Sequence, residues 1–241
     1  MQTSDPVVVV DNVVKTHQRG RIATTVLRGV NLTVPPGEFF ALTGPSGSGK
    51  TTLLNLIAGI DRPTSGRIVV GGTDLTPLSE DALGRWRRGH VGFVFQFYNL
   101  LPVLTAEENV EMPLLLTHLG RKERQEHVGA VLKLVGLEDR ARHYPAELSG
   151  GQQQRVAIAR ALVSDPTLIL ADEPTGDLDA EAAEDVLDLM CRLNEQYGKT
   201  VVIVTHDARA AERATTRVVL DKGVLNGRAA SDVSHATKGI A

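Results

Sequence analysis

Gly44-Pro45-Ser46-Gly47-Ser48-Gly49-Lys50-Thr51-Thr52 is the stretch on which the reading of the fold turns. An apolar run from Glu38 to Leu42 precedes it and reads as a buried strand. Leu53-Leu54-Asn55-Leu56-Ile57-Ala58 follows it and reads as a helix. Strand, glycine-rich loop and helix are the context a phosphate-binding P-loop requires. Glycine carries no Cβ, so the backbone at Gly44, Gly47 and Gly49 can turn tightly and aim several N–H groups at one anion. A helix that starts near Lys50 adds the positive end of its dipole, and the Lys50 ammonium reaches the outer phosphates. Thr51 places a hydroxyl where a Mg²⁺ ion bridging two phosphates would sit.

Working outward, Val7 to Val10, Val13-Val14, Thr25 to Leu27 and Asn31 to Val34 read as short strands of an antiparallel layer. Pro35-Pro36-Gly37 is the turn that enters the P-loop strand. Beyond the P-loop helix, Gly66 to Val70 and Val91 to Phe95 read as strands, with a short helix over Ser79 to Arg88. From Thr105 to about Val163 the helical period takes over. Val128, Val131, Leu132 and Val135 share one face, and Gly136 is placed as a cap. Strand patterns return at Thr167 to Ala171 and Thr200 to Val204. Between them an amphipathic helix runs from Ala180 to Tyr197, with Asp179 as N-cap and Gly198 as stop. Arg217 to Leu220 and Val224-Leu225 read as a closing hairpin.

Composition sets outer limits. The chain has 241 residues, 42% hydrophobic and 23% charged, which is globular usage with ample material for a core. A net charge of -3 gives no electrostatic reason to expect nucleic acid as a partner. Cys191 is the sole cysteine, which excludes internal disulfides and multi-cysteine metal sites, and its helical setting reads as core. Met1 to Pro6 lacks a signal-peptide profile, and no apolar run approaches the roughly 18 residues that span a bilayer. The expectation is a cytoplasmic chain.

Two further motifs bear on chemistry. Leu168-Ile169-Leu170-Ala171-Asp172-Glu173 is an apolar strand that ends in two acids, on the sheet edge where ligands of open α/β folds collect. There Asp172 can hold Mg²⁺ through water and Glu173 can take a proton from attacking water. Leu148-Ser149-Gly150-Gly151-Gln152-Gln153-Gln154-Arg155 opens a helix, and its serine, glycines and helix terminus make a second anion site. Taken alone, Ser149 and Gln152 fit an ordinary capping box.

With all three motifs in hand, the chain resembles the nucleotide-binding subunit of an ATP-binding cassette (ABC) transporter, from about Val7 to about Leu225. The resemblance implies an α/β fold. Its core is a RecA-like P-loop NTPase with an N-terminal antiparallel β subdomain and an inserted α-helical subdomain. One such domain would cover the chain, with about 1–96 and 164–225 as core and β layer and about 97–163 as the helical part. Residues 226–241 would be a loose tail. It also implies that two copies pair head to tail, each ATP lying between one P-loop and the partner's Ser149, Gly150, Gly151 and Gln152. Gln96 matches the glutamine that contacts Mg²⁺ and the attacking water. Asp177 and Asp179 lie in the loop that crosses the dimer interface, and His206 matches the histidine that senses the γ-phosphate. The residues argue the same way, since His206 alone among the histidines follows an apolar strand and precedes a helix-starting acid, Asp207. At His17 the family usually places an aromatic ring that stacks on adenine. Here an imidazole stands, either stacking or as a plain loop histidine.

The stretch Phe97-Tyr98-Asn99-Leu100-Leu101-Pro102-Val103-Leu104-Thr105-Ala106-Glu107-Glu108-Asn109-Val110 is similar to ATPases of the lipoprotein-releasing, macrolide-exporting and cell-division group. That implies an ATP-hydrolysing subunit on the cytoplasmic face of the inner membrane, held there by an integral membrane permease. Amino-acid importers share much of the pattern. A soluble ABC ATPase and a non-catalytic ATP-gated clamp are the readings from other classes. Phe97, Tyr98, Leu100 and Leu101 either form an apolar groove for a permease helix or belong to the core. Arg85-Trp86-Arg87-Arg88 is either a lipid-phosphate contact or a solvated basic turn.

Overall fold

The computed structural model describes residues 5–20 and 22–230. In chain order the strands are β1 (Val8–Arg19), β2 (Ile22–Val34), β3 (Phe39–Thr43), β4 (Ser65–Val70), β5 (Thr73–Asp74), β6 (Val91–Val94), β7 (Leu168–Asp172), β8 (Thr200–Val204), β9 (Thr216–Asp221) and β10 (Val224–Ala230). The α-helices are α1 (Lys50–Ile57), α2 (Glu80–His90), α3 (Ala106–Glu111), α4 (Arg121–Leu134), α5 (Gly150–Leu162), α6 (Ala180–Tyr197) and α7 (Ala208–Glu212). An antiparallel sheet has the order β2-β1-β4-β5, and a second, mostly parallel sheet has the order β10-β9-β3-β8-β7-β6.

The central strands of the second sheet are apolar on both faces because both are covered. In β3, Phe40 and Leu42 join the cluster shared with α1 and the antiparallel sheet, while Phe39 and Ala41 join the cluster under α5 and α6. The same alternation divides Leu168 and Leu170 from Ile169 and Ala171, and Val202 and Val204 from Val201 and Ile203. α3, α4 and α5 follow β6, so the chain leaves the sheet, builds a helical layer and returns at β7. α5 lies so close to β6 that a Cβ on Gly92 would stand 2.3 Å from the Ala161 carbonyl oxygen. Gly92→Ala is therefore expected to cost about 1–3 kcal/mol through overpacking, read as a lower urea midpoint with an unchanged slope.

The N-terminal strands differ from the short segments expected. β1 and β2 each run without interruption past the expected breaks, with register shifts between Val10 and Val13 and again between Lys15 and Thr16. Asn12 has φ 47° and its N–H donates to Asn31 Oδ1 at 2.9 Å, which is a bulge that breaks the two-residue alternation without ending the strand. At the other end, the tail expected from Asn226 starts too early. β10 pairs with β9 as far as Ala230, with Asn226 opposite Val219 and Ala230 opposite Thr216. The remainder of that expected tail, 231–241, lies outside the described residues. Among the described residues no helix is long and apolar enough to cross a membrane.

Candidate functional site

β3, β6, β7 and β8 run parallel, so their carboxyl ends lie along one edge of the sheet. The loops that leave those ends therefore converge, as ligand sites of open α/β sheets do. A cleft of about 590 Å³ results, lined by Gly44, Pro45, Ser46, Gly47, Gly49, Lys50, Thr51 and Thr52 from the glycine loop. Gln96 reaches it from the end of β6, Glu173 from the end of β7, His206 from the end of β8, and Val26 from β2.

The glycine loop has the shape an anion needs. Gly44, Gly47 and Gly49 have φ of 142°, 75° and 106°, and a Cβ on Gly44 would lie 2.1 Å from the Leu220 carbonyl oxygen. Helix α1 starts at Lys50 with no side-chain cap and no acid in its first turn, so its leading N–H groups face outward unpaired by side chains. Lys50 is buried and its Nζ donates to the carbonyls of Gly44 at 2.9 Å and Pro45 at 3.1 Å, which closes a ring around the loop. Ser48 Oγ is buried and without a hydrogen-bond partner.

Two hard oxygens stand at the inner end. The Thr51 hydroxyl donates to Asp172 Oδ1 at 3.2 Å. Burial raises the Asp172 carboxyl above its ordinary value and neighbouring Glu173 adds to that, while the Thr51 bond and Lys50 act against them. Glu173 has φ 49° and donates its N–H to the Val204 carbonyl at 2.8 Å, which turns its side chain toward β8. There Glu173 Oε1 lies 2.8 Å from His206 Nδ1, and Oε2 accepts the His206 N–H at 3.2 Å. His206 is largely exposed to the cleft and Glu173 mostly covered.

Other residues singled out in the sequence do not enter this cleft. Residues 149–152 line none of it. The Ser149 hydroxyl accepts the Gln152 N–H at 3.3 Å, and Gln152 Oε1 accepts the Ser149 N–H at 2.9 Å, so the capping box forms within the single chain. Asp179 caps α6 by accepting the Ala182 N–H at 2.8 Å, and Asp177 lies against the Tyr98 hydroxyl. His17 is exposed, opposite Thr24 in the β1–β2 pair, and is not among the residues lining the cleft, although Val26 of the same hairpin is. Of the apolar run after Gln96, Leu100 packs on the core, while Phe97 and Leu101 are exposed. Arg87 and Arg88 are not free charges: they donate to the carbonyls of Gly59 and Leu116, and Trp86 just before them is buried.

Sequence reasoning missed Val26 and Gln154. Gln154 is fully buried on α5, and its Nε2 donates to the carbonyls of Phe95 at 3.3 Å and Pro174 at 2.6 Å. It thereby joins α5 to the loops that carry Gln96 and Glu173. Its position inside the run of three glutamines was the available signal, since only the third faces inward.

Fold and cleft together define a P-loop NTPase with an inserted helical layer. The chain belongs to the ABC transporter family, whose profile matches residues 27–176, and it is an ATP-binding subunit of that class. It is 53% identical over 202 residues to the ABC transporter ATP-binding protein YtrE of Bacillus subtilis strain 168, covering 84% of this chain and 87% of that one. It is 47% identical over 225 residues to the lipoprotein-releasing system ATP-binding protein LolD of Legionella pneumophila strain Lens, covering 93% and 99%. Among solved structures it is similar to the ATP-binding cassette MJ0796 of Methanocaldococcus jannaschii in a dimeric post-hydrolysis state bound to ADP and Pi. That match has a TM-score of 0.85 and 44% identity, covering 92% of this chain and 98% of that one.

Proposed function

We propose that this subunit binds Mg²⁺-ATP in the cleft, completes the site with residues 149–152 of a second copy, and couples hydrolysis to a membrane permease. The observation that carries it is the division of the parts. One chain gathers the glycine loop, Gln96, Asp172, Glu173 and His206 at one sheet edge, while the Ser149 helix terminus stays outside that cleft. A head-to-tail pair brings the two halves together, and MJ0796 is dimeric with ADP and Pi bound.

In this reading the N–H groups of residues 44–52 and Lys50 hold the phosphates, with Lys50 exchanging its loop carbonyls for phosphate oxygens. Thr51, Asp172 and Gln96 would hold Mg²⁺, which when bound neutralises charge on the phosphates. Oxygen donors and a single carboxylate fit that ion, since Mg²⁺ keeps waters and phosphates as its other ligands. Glu173 orients and deprotonates water, with His206 fixing its carboxylate at 2.8 Å. The partner's Ser149 and Gly151 close over the γ-phosphate, while Asp177 and Asp179 lie at the interface. Because closure needs the third phosphate, pairing depends on ATP and hydrolysis reopens it.

The partner is a permease of the lipoprotein-release or macrolide-export type at the cytoplasmic face of the inner membrane. Identity to LolD over nearly the whole chain supports that branch. Exposed Phe97, Leu101 and Val103, just beyond Gln96, supply an apolar docking patch beside the cleft. The test is Mg²⁺-dependent phosphate release by the purified chain. Lys50→Ala is expected to weaken nucleotide binding at least tenfold and to abolish release. ATP binding that survives both Lys50→Ala and chelation of Mg²⁺ would place the nucleotide elsewhere.

A further inference from the structure

Residue Tyr98 lies where three segments meet. Its hydroxyl donates to the Asp177 carbonyl oxygen at 3.3 Å and to Asp177 Oδ2 at 3.4 Å. A Cβ on Gly150 would stand 3.0 Å from the same hydroxyl oxygen and 3.4 Å from Leu178 Cδ2. The Gln96 segment, the loop 175–179 and the start of α5 therefore abut at one phenol group. Two residues earlier the contact is repeated: a Cβ on Gly176 would lie 2.9 Å from Gln96 Nε2. Gln96 against Gly176 and Tyr98 against Asp177 form two adjoining rungs between these loops.

The backbone at Tyr98 is held in an uncommon shape to make this contact. Tyr98 and Asn99 have φ of 56° and 51°, the left-handed region that non-glycine residues seldom adopt. Arg160 of α5 fixes both, with Nη2 donating to the Tyr98 carbonyl at 2.7 Å and Nη1 to the Asn99 carbonyl at 2.5 Å. Burial lowers the pKa of that guanidinium, so a largely desolvated charge is committed to two carbonyls of this turn.

We infer that Tyr98 is a positioning residue: its hydroxyl ties the Gln96 segment to Asp177 and abuts Gly150, so that a shift of Gln96 at the cleft also moves the face offered to the second copy. The inference rests on the two-copy reading proposed above. A ring placed there only to line an apolar groove needs no hydroxyl, and the oxygen is the atom that meets both loops.

The test is Tyr98→Phe in the full chain, which keeps the ring and removes the donor. ATP affinity and thermal midpoint are expected to stay within about twofold and a degree or two of the parent. The kcat for Mg²⁺-ATP should fall about three- to tenfold with KM little changed, the range one ordinary hydrogen bond supplies. In an Asp177→Ala background, which removes Oδ2 and keeps the carbonyl acceptor, the same substitution should cost less than it does in the parent. Parental kcat in Tyr98→Phe, or losses that simply multiply in the double variant, would overturn the assignment. A Glu173→Gln chain that forms dimers with ATP, and forms fewer once Tyr98→Phe is added, supports it. Equal dimerisation in both overturns Tyr98 alone, whereas no ATP-dependent dimer in either removes the two-copy site and this inference together.

Discussion

A Glu173→Gln chain is expected to bind ATP as the parent does, lose about 10²–10⁴ in turnover, and accumulate as an ATP-bound dimer. The surroundings of Glu173 make this substitution unusually clean. Its N–H donates to the Val204 carbonyl, and that backbone bond persists whatever the side chain. A glutamine oxygen can still accept the His206 N–H now 3.2 Å from Oε2, and the amide nitrogen can face His206 Nδ1 where Oε1 stands at 2.8 Å. Shape and hydrogen bonding are kept. What disappears is a carboxylate able to take a proton from water. Nucleotide titration, phosphate release and sedimentation with ATP measure the three parts separately. Turnover retained near the parental rate would remove Glu173 as the base and direct attention to His206, the other titratable group lining the cleft beyond Lys50.

The convergence of these residues on one sheet edge was largely legible in the sequence, for a physical reason. Parallel strands put their carboxyl ends on one edge, so the residues just past Val94, Asp172 and Val204 had to approach the glycine loop that follows β3. Local periodicity gave α6 its limits, because Asp179 and Gly198 each act through their own neighbours. The misreadings arose where tertiary pairing overrides local pattern. Asn12 interrupts the alternation of β1, yet hydrogen bonds to β2 and β4 carry the strand through. Asn226, Gly227 and Arg228 look like the start of a tail, and only β9 beside them makes a strand. The apolar neighbours of Tyr98 in the sequence leave it either a groove wall or a core residue. Its hydroxyl contact spans 79 positions, and no local pattern encodes such a separation. Among the candidates left apart from the cleft lining, His17 stands exposed opposite Thr24.

Ser149→Arg separates what a single chain does from what a pair does. No residue from 149–152 lines the chain's own cleft, so ATP affinity of the isolated chain should remain within about twofold of the parent. Hydrolysis should fall by at least about 10²–10³, the cost of losing one preorganised donor to the reacting phosphate, with a bulky cation wedged between copies besides. The substitution also removes the cap that Ser149 provides to the Gln152 N–H, and it sets a positive charge at the positive end of α5. A lost cap costs about 0.5–2 kcal/mol, which is a stability effect and has to be told apart from the catalytic one. Ser149→Ala supplies that control, since it loses the cap without blocking the interface, and Ser149→Asn restores a capping oxygen. Melting should therefore rank asparagine above alanine and arginine, while phosphate release should be lowest for arginine by a margin that melting does not explain. If Ser149→Arg instead abolished ATP binding by the monomer, the serine would belong to its own chain's site and the head-to-tail arrangement would be wrong.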